Sequence, residues 1–171
     1  MKFTKGIYIL LGSNLGDRIQ VLHHAKKMIQ QRAGDILQSS AIYETEPWGV
    51  SDQPSFYNQV LKIQTSLDPH CLLEKLQGVE QDIGKVKLGK WRERLIDVDI
   101  LYYHDLILDD VNLTIPHPEI GNRRFTLVPL CELAANSFNR VLQKNQQEML
   151  NECRDELAVW PLTQVNSMDP Q

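Results

Sequence analysis

The chain alternates between short apolar runs and longer segments in which apolar residues recur at helical spacing. The first run, Ile7 to Leu11, ends at a glycine, which is the pattern of a buried strand. The segment that follows carries an apolar stripe with Asp17 near its start and Gly34 at its end, and this predicts a helix. Because each such element has an apolar face to bury, interleaved strands and helices predict helices packed on a sheet.

Further strands and helices are predicted downstream. The predicted strands cover residues 36–43, 56–63 and 96–103, and the predicted helices cover residues 69–84 and 122–135. His104 and Asp105 form a predicted turn after the last strand, with residues 106–108 returning as the second arm of a hairpin. Residues 44–54 form a long loop. The expected architecture is α+β, with helices on a largely antiparallel sheet.

Size and charge limit the classes of protein that fit this chain. With 171 residues, 42% of them hydrophobic, residues 1–171 are expected to form one domain with a core that needs no disulfides. The formal net charge of -4 argues against a nucleic-acid-binding surface. No apolar stretch reaches bilayer-spanning length, and the three cysteines form no Cys-x-x-Cys pair. We therefore expect a cytoplasmic monomer with reduced thiols that binds neither membranes nor nucleic acid.

The motif Ile96-Asp97-Val98-Asp99-Ile100 is the most informative about chemistry. Strand side chains alternate, so the two aspartates share one face and the three aliphatic residues share the other. Residues two apart on a strand are separated by about 6.6 Å, which lets both carboxylates hold one magnesium ion or bridge two, with phosphates completing the coordination. The solvated acidic face of an edge strand would give the same pattern, so the motif alone does not decide.

A basic island precedes this strand. Five cations lie within ten residues: Lys85, Lys87, Lys90, Arg92 and Arg94. Guanidinium groups donate in a planar fork that suits phosphate oxygens, so the island favours a polyphosphate ligand, with a solvated loop as the alternative. A P-loop is excluded, because Trp91 stands where that motif has its metal-binding Ser or Thr and a helix rather than a strand comes before it.

A second cluster lies in residues 116–125, a short loop that leads into the last predicted helix. It brings together His117, Arg123, Arg124 and Phe125. Each of these residues alone is more often structural or simply exposed, but loops that concentrate such side chains often bind ligands.

Five motifs together resemble the 6-hydroxymethyl-7,8-dihydropterin pyrophosphokinase family. They are the turn Gly12-Ser13-Asn14, the segment Thr45-Glu46-Pro47-Trp48-Gly49, the stretch Gln53-Pro54-Ser55-Phe56-Tyr57-Asn58, the Asp-x-Asp strand, and the run from Pro116-His117 to Arg123-Arg124-Phe125. The resemblance runs from about Ile7 to Ala135, and residues 136–171 are a weaker extension of the same domain. It implies a ferredoxin-like α+β fold with helices on both faces of the sheet.

The resemblance also implies how the donor is held. It implies ATP as co-substrate and two magnesium ions on Asp97 and Asp99, with attack of the alcohol on the β-phosphorus and release of AMP. The implied nucleotide-binding residues are Lys85, Lys87, Trp91, Arg94, Ile100, Thr114, His117 and Arg123. Arg94 and Arg123 join the two aspartates as catalytic residues, and the basic island is the implied loop that closes over ATP and excludes water. We take Asp97 as the candidate proton acceptor.

For the acceptor, the resemblance implies a flat pterin ring stacked between Phe56 and Phe125. Asn58 and the backbone of residues 45–48 read its hydrogen-bonding edge, so the implied pterin-binding residues are Thr45, Glu46, Pro47, Trp48, Phe56, Asn58 and Phe125. A heteroaromatic ring gains from two aromatic faces and is oriented by an amide that both donates and accepts.

The chain departs from the family where Arg92-Glu93 replaces the usual Gly-Pro between Trp91 and Arg94. This change affects the conformation of the loop rather than the reaction, because proline no longer fixes the backbone there. Glu80 also matches a family position, and the sequence assigns it no chemical role.

Two other functions fit parts of the pattern. One is a magnesium-dependent kinase that acts on a small alcohol and releases ADP, and the other is a ferredoxin-like module that binds a nucleotide without turnover. The nucleotide product separates the first from a pyrophosphokinase, and catalytic turnover separates the second. The aspartate pair also fits manganese in place of magnesium.

Overall fold

A computed structural model describes residues 4–46, 54–84 and 95–163. Its strands are β1 (Ile7–Ser13), β2 (Asp35–Ser39), β3 (Tyr43–Thr45), β4 (Phe56–Gln64), β5 (Asp97–Tyr103), β6 (Leu108–Asp109), β7 (Thr114–Ile115), β8 (Phe138–Asn139), β9 (Lys144–Asn145) and β10 (Val159–Pro161). Its α-helices are α1 (Arg18–Arg32), α2 (Pro69–Gly84), α3 (Arg124–Ala134) and α4 (Gln146–Glu152), and Ile120–Asn122 is a single turn of 3-10 helix.

The main sheet has six strands, and β1 lies in its interior. Its order is β10-β3-β4-β1-β5, with β2 pairing along another part of β4, and every pair is antiparallel. Strand β1 therefore joins β4 on one side to β5 on the other. The antiparallel sheet expected from the sequence is confirmed.

Alternate residues of β1 are buried in two different cores. Ile9 and Leu11 pack in the core that contains the buried faces of α1 and α2. Tyr8 and Leu10 pack in the second core with residues of α3 and α4. Because successive side chains of a strand point to opposite faces, one apolar run serves both layers. The arrangement with helices on both faces of the sheet is confirmed.

Asp17 caps the start of α1, since its side chain accepts a hydrogen bond from the backbone N–H of Gln20 at 3.2 Å.

The single strand predicted for residues 36–43 is wrong, because the segment forms two strands, β2 and β3, that both pair with β4. Between them, the hydroxyl of Ser40 accepts the N–H of Val60 at 3.0 Å in place of a backbone carbonyl. The Ser40 side chain thus replaces regular backbone pairing with β4 at the break between β2 and β3.

The hairpin predicted after β5 is also wrong. Strand β6 pairs with β7, not with β5. The chain turns at His104, where the backbone has φ of 51° and its N–H donates to the carbonyl of Gly6. Leu106 and Ile107 then lie exposed instead of returning along the sheet.

Residues beyond the expected family region form ordered structure. Strands β8 and β9 pair as a hairpin, α4 packs against α3, and β10 pairs with β3 at the edge of the main sheet. In the parts of the chain that the structure describes, no helix is long and apolar enough to cross a bilayer.

Candidate active site

A cavity of about 490 Å³ opens over one face of the main sheet. Its lining comes from four strands, from the loop that precedes α3 and from the first turn of α3, and it comprises Leu10, Gly12, Thr45, Glu46, Phe56, Asn58, Asp97, Asp99, Glu119, Asn122, Arg123 and Phe125. Eight of these are residues that the family resemblance assigns to substrates or metal: Thr45, Glu46, Phe56, Asn58, Asp97, Asp99, Arg123 and Phe125. The fold therefore brings separate parts of the sequence into one concave surface.

Gly12 forms the middle of the cavity floor. It is paired with Asn58 of β4 on one side and with Asp97 of β5 on the other. Cross-strand partners present their side chains on the same face, so Asn58 and Asp97 flank Gly12. A Cβ atom at Gly12 would lie 2.9 Å from Oδ1 of Asn58, and the glycine keeps this space open. The sequence indicates a turn at Gly12, but the structure corrects this, because the residue lies within β1.

The two aspartates of β5 both line the cavity, as the strand alternation predicts. Val98 and Ile100 point to the other face and are buried in the core with α1 and α2. Between the aspartates, the backbone N–H of Val98 donates to Oε1 of Glu80 on α2 at 2.7 Å. Glu80 therefore ties α2 to the strand that carries both carboxylates, which gives this residue a structural explanation that the sequence does not provide.

One wall of the cavity comes from β3 and the start of β4. Thr45 and Asn58 are 2% and 3% exposed, and Nδ2 of Asn58 donates to Oγ1 of Thr45 at 3.1 Å. This hydrogen bond fixes the orientation of the amide group, with Oδ1 on the side of Gly12. Phe56 pairs with Thr45 across the two strands and lines the same wall.

The segment around Phe56 is held from outside the cavity by Arg18 of α1. The Arg18 guanidinium donates to the carbonyl and to the hydroxyl of Ser55 at 2.6 and 2.8 Å. It also lies 3.8 Å from the ring centroid of Tyr57. The residues on both sides of Phe56 are thus fixed by one cation.

The opposite wall comes from the loop before α3 and from the first turn of that helix. Arg123 precedes the helix in an extended conformation, and its guanidinium carbon lies 5.6 Å from the ring centroid of Phe125. This is within the range of a cation–π interaction. Asn122 and Glu119 also line this wall, and Nδ2 of Asn122 donates to Oε2 of Glu119 at 3.3 Å. A basic group and an aromatic ring therefore lie side by side.

A second cavity, of about 270 Å³, shares Asp99 with the first. Its lining also includes Ile100, Thr114 and His117, which are three of the residues that the family resemblance assigns to the nucleotide. The two cavities thus adjoin at the carboxylate of Asp99.

His117 is held in one tautomer. Its Nδ1 accepts the backbone N–H of Glu119 at 3.2 Å. Burial lowers the pKa of His117, and nearby Arg123 lowers it further, although the negative charges of Asp99 and Glu119 oppose the shift. A neutral imidazole whose Nδ1 accepts carries its proton on Nε2, so His117 offers a hydrogen-bond donor to a ligand.

The five residues of the basic island lie outside the described residues, as do three other residues that the family resemblance assigns to substrates: Pro47, Trp48 and Trp91. Conversely, sequence reasoning missed Leu10, Gly12, Glu119 and Asn122 as cavity residues. Glu119 and Asn122 fall within the loop that the sequence highlights. Leu10 and Gly12 could have been found only from the pairing of β1 with β5, which aligns them with Asp99 and Asp97.

The carboxylates of the cavity suit a hard divalent cation that is also bound by a ligand. Among the described residues, no group of three or more His, Cys, Asp or Glu side chains could hold a metal by itself. Magnesium commonly uses one or two carboxylates, with water and substrate phosphates as its other ligands. Asp97 and Asp99 fit that pattern, because an open cavity adjoins them on the face they share.

Sequence comparison finds one family model and several relatives that match this chain. The family model for 7,8-dihydro-6-hydroxymethylpterin-pyrophosphokinase matches residues 8–135. The chain is 44% identical over 130 residues to the 2-amino-4-hydroxy-6-hydroxymethyldihydropteridine pyrophosphokinase of Haemophilus influenzae, which covers 75% of this chain and 81% of that protein. It is 38% identical over 142 residues to the protein of the same name from Aquifex aeolicus, covering 83% and 88% of the two chains.

Longer relatives contain the matching region as one part. The folic acid synthesis protein fol1 of Pneumocystis carinii is 41% identical over 138 residues, which are 81% of this chain but only 19% of that protein.

Solved structures of Plasmodium falciparum HPPK-DHPS share the fold. The wild-type protein with STZ-DHP aligns with a TM-score of 0.68 at 15% identity, over 87% of this chain and 43% of that one. The same protein with pteroate gives a TM-score of 0.67 at 15% identity, over 89% and 43%. The chain thus spans less than half the length of these structures. The ferredoxin-like α+β fold implied by the sequence is confirmed.

Proposed function

This chain belongs to the 7,8-dihydro-6-hydroxymethylpterin-pyrophosphokinase family, and we propose that it transfers the terminal pyrophosphoryl group of ATP to the hydroxymethyl group of 6-hydroxymethyl-7,8-dihydropterin. Family membership makes it a pyrophosphokinase of folate biosynthesis. One observation carries the assignment of substrates. A single cavity combines two strand carboxylates with two phenylalanines and a buried amide, Asn58.

In this proposal the donor phosphates lie against Asp97 and Asp99. Both side chains would hold magnesium, which when bound neutralises phosphate charge. Arg123 donates to the phosphates through its planar guanidinium, and Nε2 of His117 donates from the adjoining cavity. Ile100 and Thr114 line that second cavity and would contact the remainder of the nucleotide.

The reaction is a displacement at the β-phosphorus of ATP. The hydroxymethyl oxygen forms a bond to this atom as the bond from the phosphorus to the α,β-bridging oxygen breaks, and AMP leaves. The hydroxyl proton passes to Asp97, our candidate acceptor. Phosphoryl-transfer transition states are loose, so positioning and charge stabilisation supply most of the acceleration. In our proposal the basic island at residues 85–94 completes this charge environment.

The pterin ring is proposed to stack between Phe56 and Phe125. The two residues come from opposite walls of the cavity, one on β4 and one on α3. Asn58 is buried and its amide is already oriented by Thr45, so hydrogen bonding to the ring costs little further ordering. The backbone of residues 45–48 is proposed to read the rest of the polar edge.

The open floor at Gly12 supplies a prediction about the pterin. Gly12→Ala is expected to raise the KM for the pterin about tenfold, because the new methyl group displaces the Asn58 amide, and one to two hydrogen bonds to the ring are then misplaced. Steady-state kinetics with each substrate varied in turn measures the effect, and the KM for ATP should change less than twofold.

Gly78→Ala is the matched control. A Cβ at Gly78 has no neighbour within 4 Å, and the residue lies within α2, so alanine there should raise stability by about 0.5–1 kcal/mol without changing either KM. Equal pterin KM values for Gly12→Ala and the wild type would exclude a role for the floor in pterin binding.

The nucleotide product tests the proposed reaction. The purified protein is incubated with ATP, magnesium and 6-hydroxymethyl-7,8-dihydropterin, and AMP and ADP are quantified with and without the pterin. AMP that forms only with the pterin is the expected result. ADP would instead identify a kinase that transfers one phosphoryl group.

Omission of magnesium tests the metal in the same assay. AMP formation should cease when the metal is removed with a chelator and return when magnesium is added. A nucleotide-binding module without turnover would be favoured by two results together. The protein would bind a non-hydrolysable ATP analogue tightly, and it would form no product from ATP and the pterin.

A further inference from the structure

Residues 155–161, here called the strap, form hydrogen bonds with both chain segments that carry the walls of the main cavity. They lie beyond the region matched by the family model, which ends at residue 135. At one end, Oδ2 of Asp155 accepts the backbone N–H of Arg124 at 3.0 Å. Arg124 lies between Arg123 and Phe125, which both line the cavity. The carboxylate therefore holds the backbone between two cavity residues.

The other end of the strap continues the main sheet. Val159 pairs with Thr45, and the N–H of Glu46 donates to the carbonyl of Ala158 at 3.4 Å. Nε1 of Trp160 donates to Oε2 of Glu44 at 3.1 Å. The strap thus fixes β3, which carries the Thr45 and Glu46 side of the cavity, relative to the start of α3.

We propose that Asp155 is a positioning residue for the pterin site, and that it acts by holding the start of α3 through the N–H of Arg124. This inference rests on the proposed function in one respect, that the pterin binds against Phe125. Asp155 lies outside the cavity and acts on the ligand through Arg124 and its neighbours.

The start of α3 needs such an acceptor. The first N–H groups of a helix have no partner within the helix, and a side chain at the N-cap position usually supplies one. Here the N-cap residue is Arg123, whose side chain makes no capping hydrogen bond. A carboxylate 31 residues later in the chain supplies the acceptor for Arg124, and a negative charge is favourable at a helix N-terminus.

Asp155 is itself fixed by a second hydrogen bond. Its Oδ1 accepts the N–H of Leu157 at 3.0 Å. Because both oxygens are engaged, the carboxylate has a defined direction and can fix the backbone on either side of Arg124. Freed from it, Phe125 would sample other arrangements, and the pterin would have to order it when it binds. The donor phosphates are proposed to be held by magnesium and His117 as well as by Arg123, so their binding depends less on this backbone.

The test measures equilibrium binding of 6-hydroxymethyl-7,8-dihydropterin by calorimetry in the presence of magnesium and α,β-methylene-ATP, an analogue that blocks the cleaved bond. Asp155→Ala is expected to weaken pterin binding about tenfold and binding of the analogue less than twofold, because it removes the charge-assisted hydrogen bond to Arg124 together with the one to Leu157 that orients the carboxylate. Glu156→Ala is the charge-matched control. Glu156 is exposed and neighbours Asp155 in the strap, and this substitution should change neither affinity.

Proline at position 124 isolates the hydrogen bond. Arg124 is the first residue of α3, a position that tolerates proline, and the extended backbone of Arg123 suits the residue before a proline. Arg124→Pro removes the N–H that Asp155 accepts and fixes the backbone φ, with Arg124→Ala as its reference. Asp155→Ala should weaken pterin binding about tenfold in the Arg124→Ala protein and less than twofold in the Arg124→Pro protein.

The outcomes separate this inference from the proposed function. If the wild-type protein binds no pterin, the proposed function fails. If the wild type binds pterin and Asp155→Ala binds it equally well, or if the loss is the same in both position-124 proteins, only the role of Asp155 is overturned. Should Asp155→Ala fail to fold, Asp155→Asn, which retains one acceptor oxygen, replaces it. It should weaken pterin binding about threefold in the Arg124→Ala protein and not measurably in the Arg124→Pro protein.

Discussion

Asp99→Asn is expected to lower the rate of AMP formation about 1,000-fold with little change in melting temperature. Asp99 lines both cavities, so in our proposal it lies where the donor phosphates and the metal meet. Asparagine preserves the shape of the side chain but removes the charge, which weakens metal binding and leaves phosphate charge unneutralised. A 1,000-fold loss corresponds to about 4 kcal/mol of transition-state stabilisation, within the range supplied by a metal ion.

The folded structure should tolerate this substitution because Asp99 is only half-buried, and its strand is anchored by Val98 and Ile100 on the opposite face. Asp109→Asn makes the same chemical change at an exposed position that lines neither cavity, and it should leave the rate unaltered. The rates are measured with saturating substrates over a range of magnesium concentrations. A rate for Asp99→Asn within tenfold of the wild type would contradict the assignment.

The second large effect is expected at Arg123. Arg123→Ala should reduce kcat about 100-fold, because the guanidinium is proposed to stabilise charge on the transferred group in the transition state. Arg123→Lys should recover only part of the loss, since lysine retains the charge but lacks the planar pair of donors. The lost contact with the Phe125 ring should also raise the KM for the pterin a few-fold.

The neighbouring arginine supplies the control for this prediction. Arg124→Ala removes the same positive charge one residue away, and Arg124 does not line either cavity. Its kcat should remain within twofold of the wild type. Equal losses of kcat for the two alanine variants would indicate a general effect of charge rather than a contact with the phosphates.

The sequence predicts elements whose pattern repeats locally. Strand β5 and the common face of Asp97 and Asp99 follow from alternation alone, and α2 follows from its apolar spacing. Single features that depend on distant partners were not predictable. The break at Ser40 depends on its hydrogen bonds to Val60, and the failed hairpin depends on the pairing of β6 with β7.

The same distinction applies to the site. Phe56, Asn58 and Phe125 are recognisable because their motifs are contiguous in the sequence. The sequence indicates a turn at Gly12 because a glycine after an apolar run usually begins one, whereas here β5 pairs with β1 as far as Gly12 and β4 pairs one residue further, at Ser13. The contact of Asp155 with Arg124 has no local signature, since it joins two residues 31 positions apart.

The interior position of β1 allows the two halves of the site to form one after the other during synthesis. The chain emerges from the ribosome at 5–20 residues per second, so the pairing of β1 with β4, which needs residues up to 64, can precede its pairing with β5, which needs residues up to 103, by roughly 2 to 8 s. If β1 pairs with β4 first, its other edge has no strand partner during that interval. An unpaired edge with apolar neighbours can pair with other nascent chains. The half of the floor with Gly12 and Asn58 can therefore exist before Asp97 and Asp99 arrive to complete it.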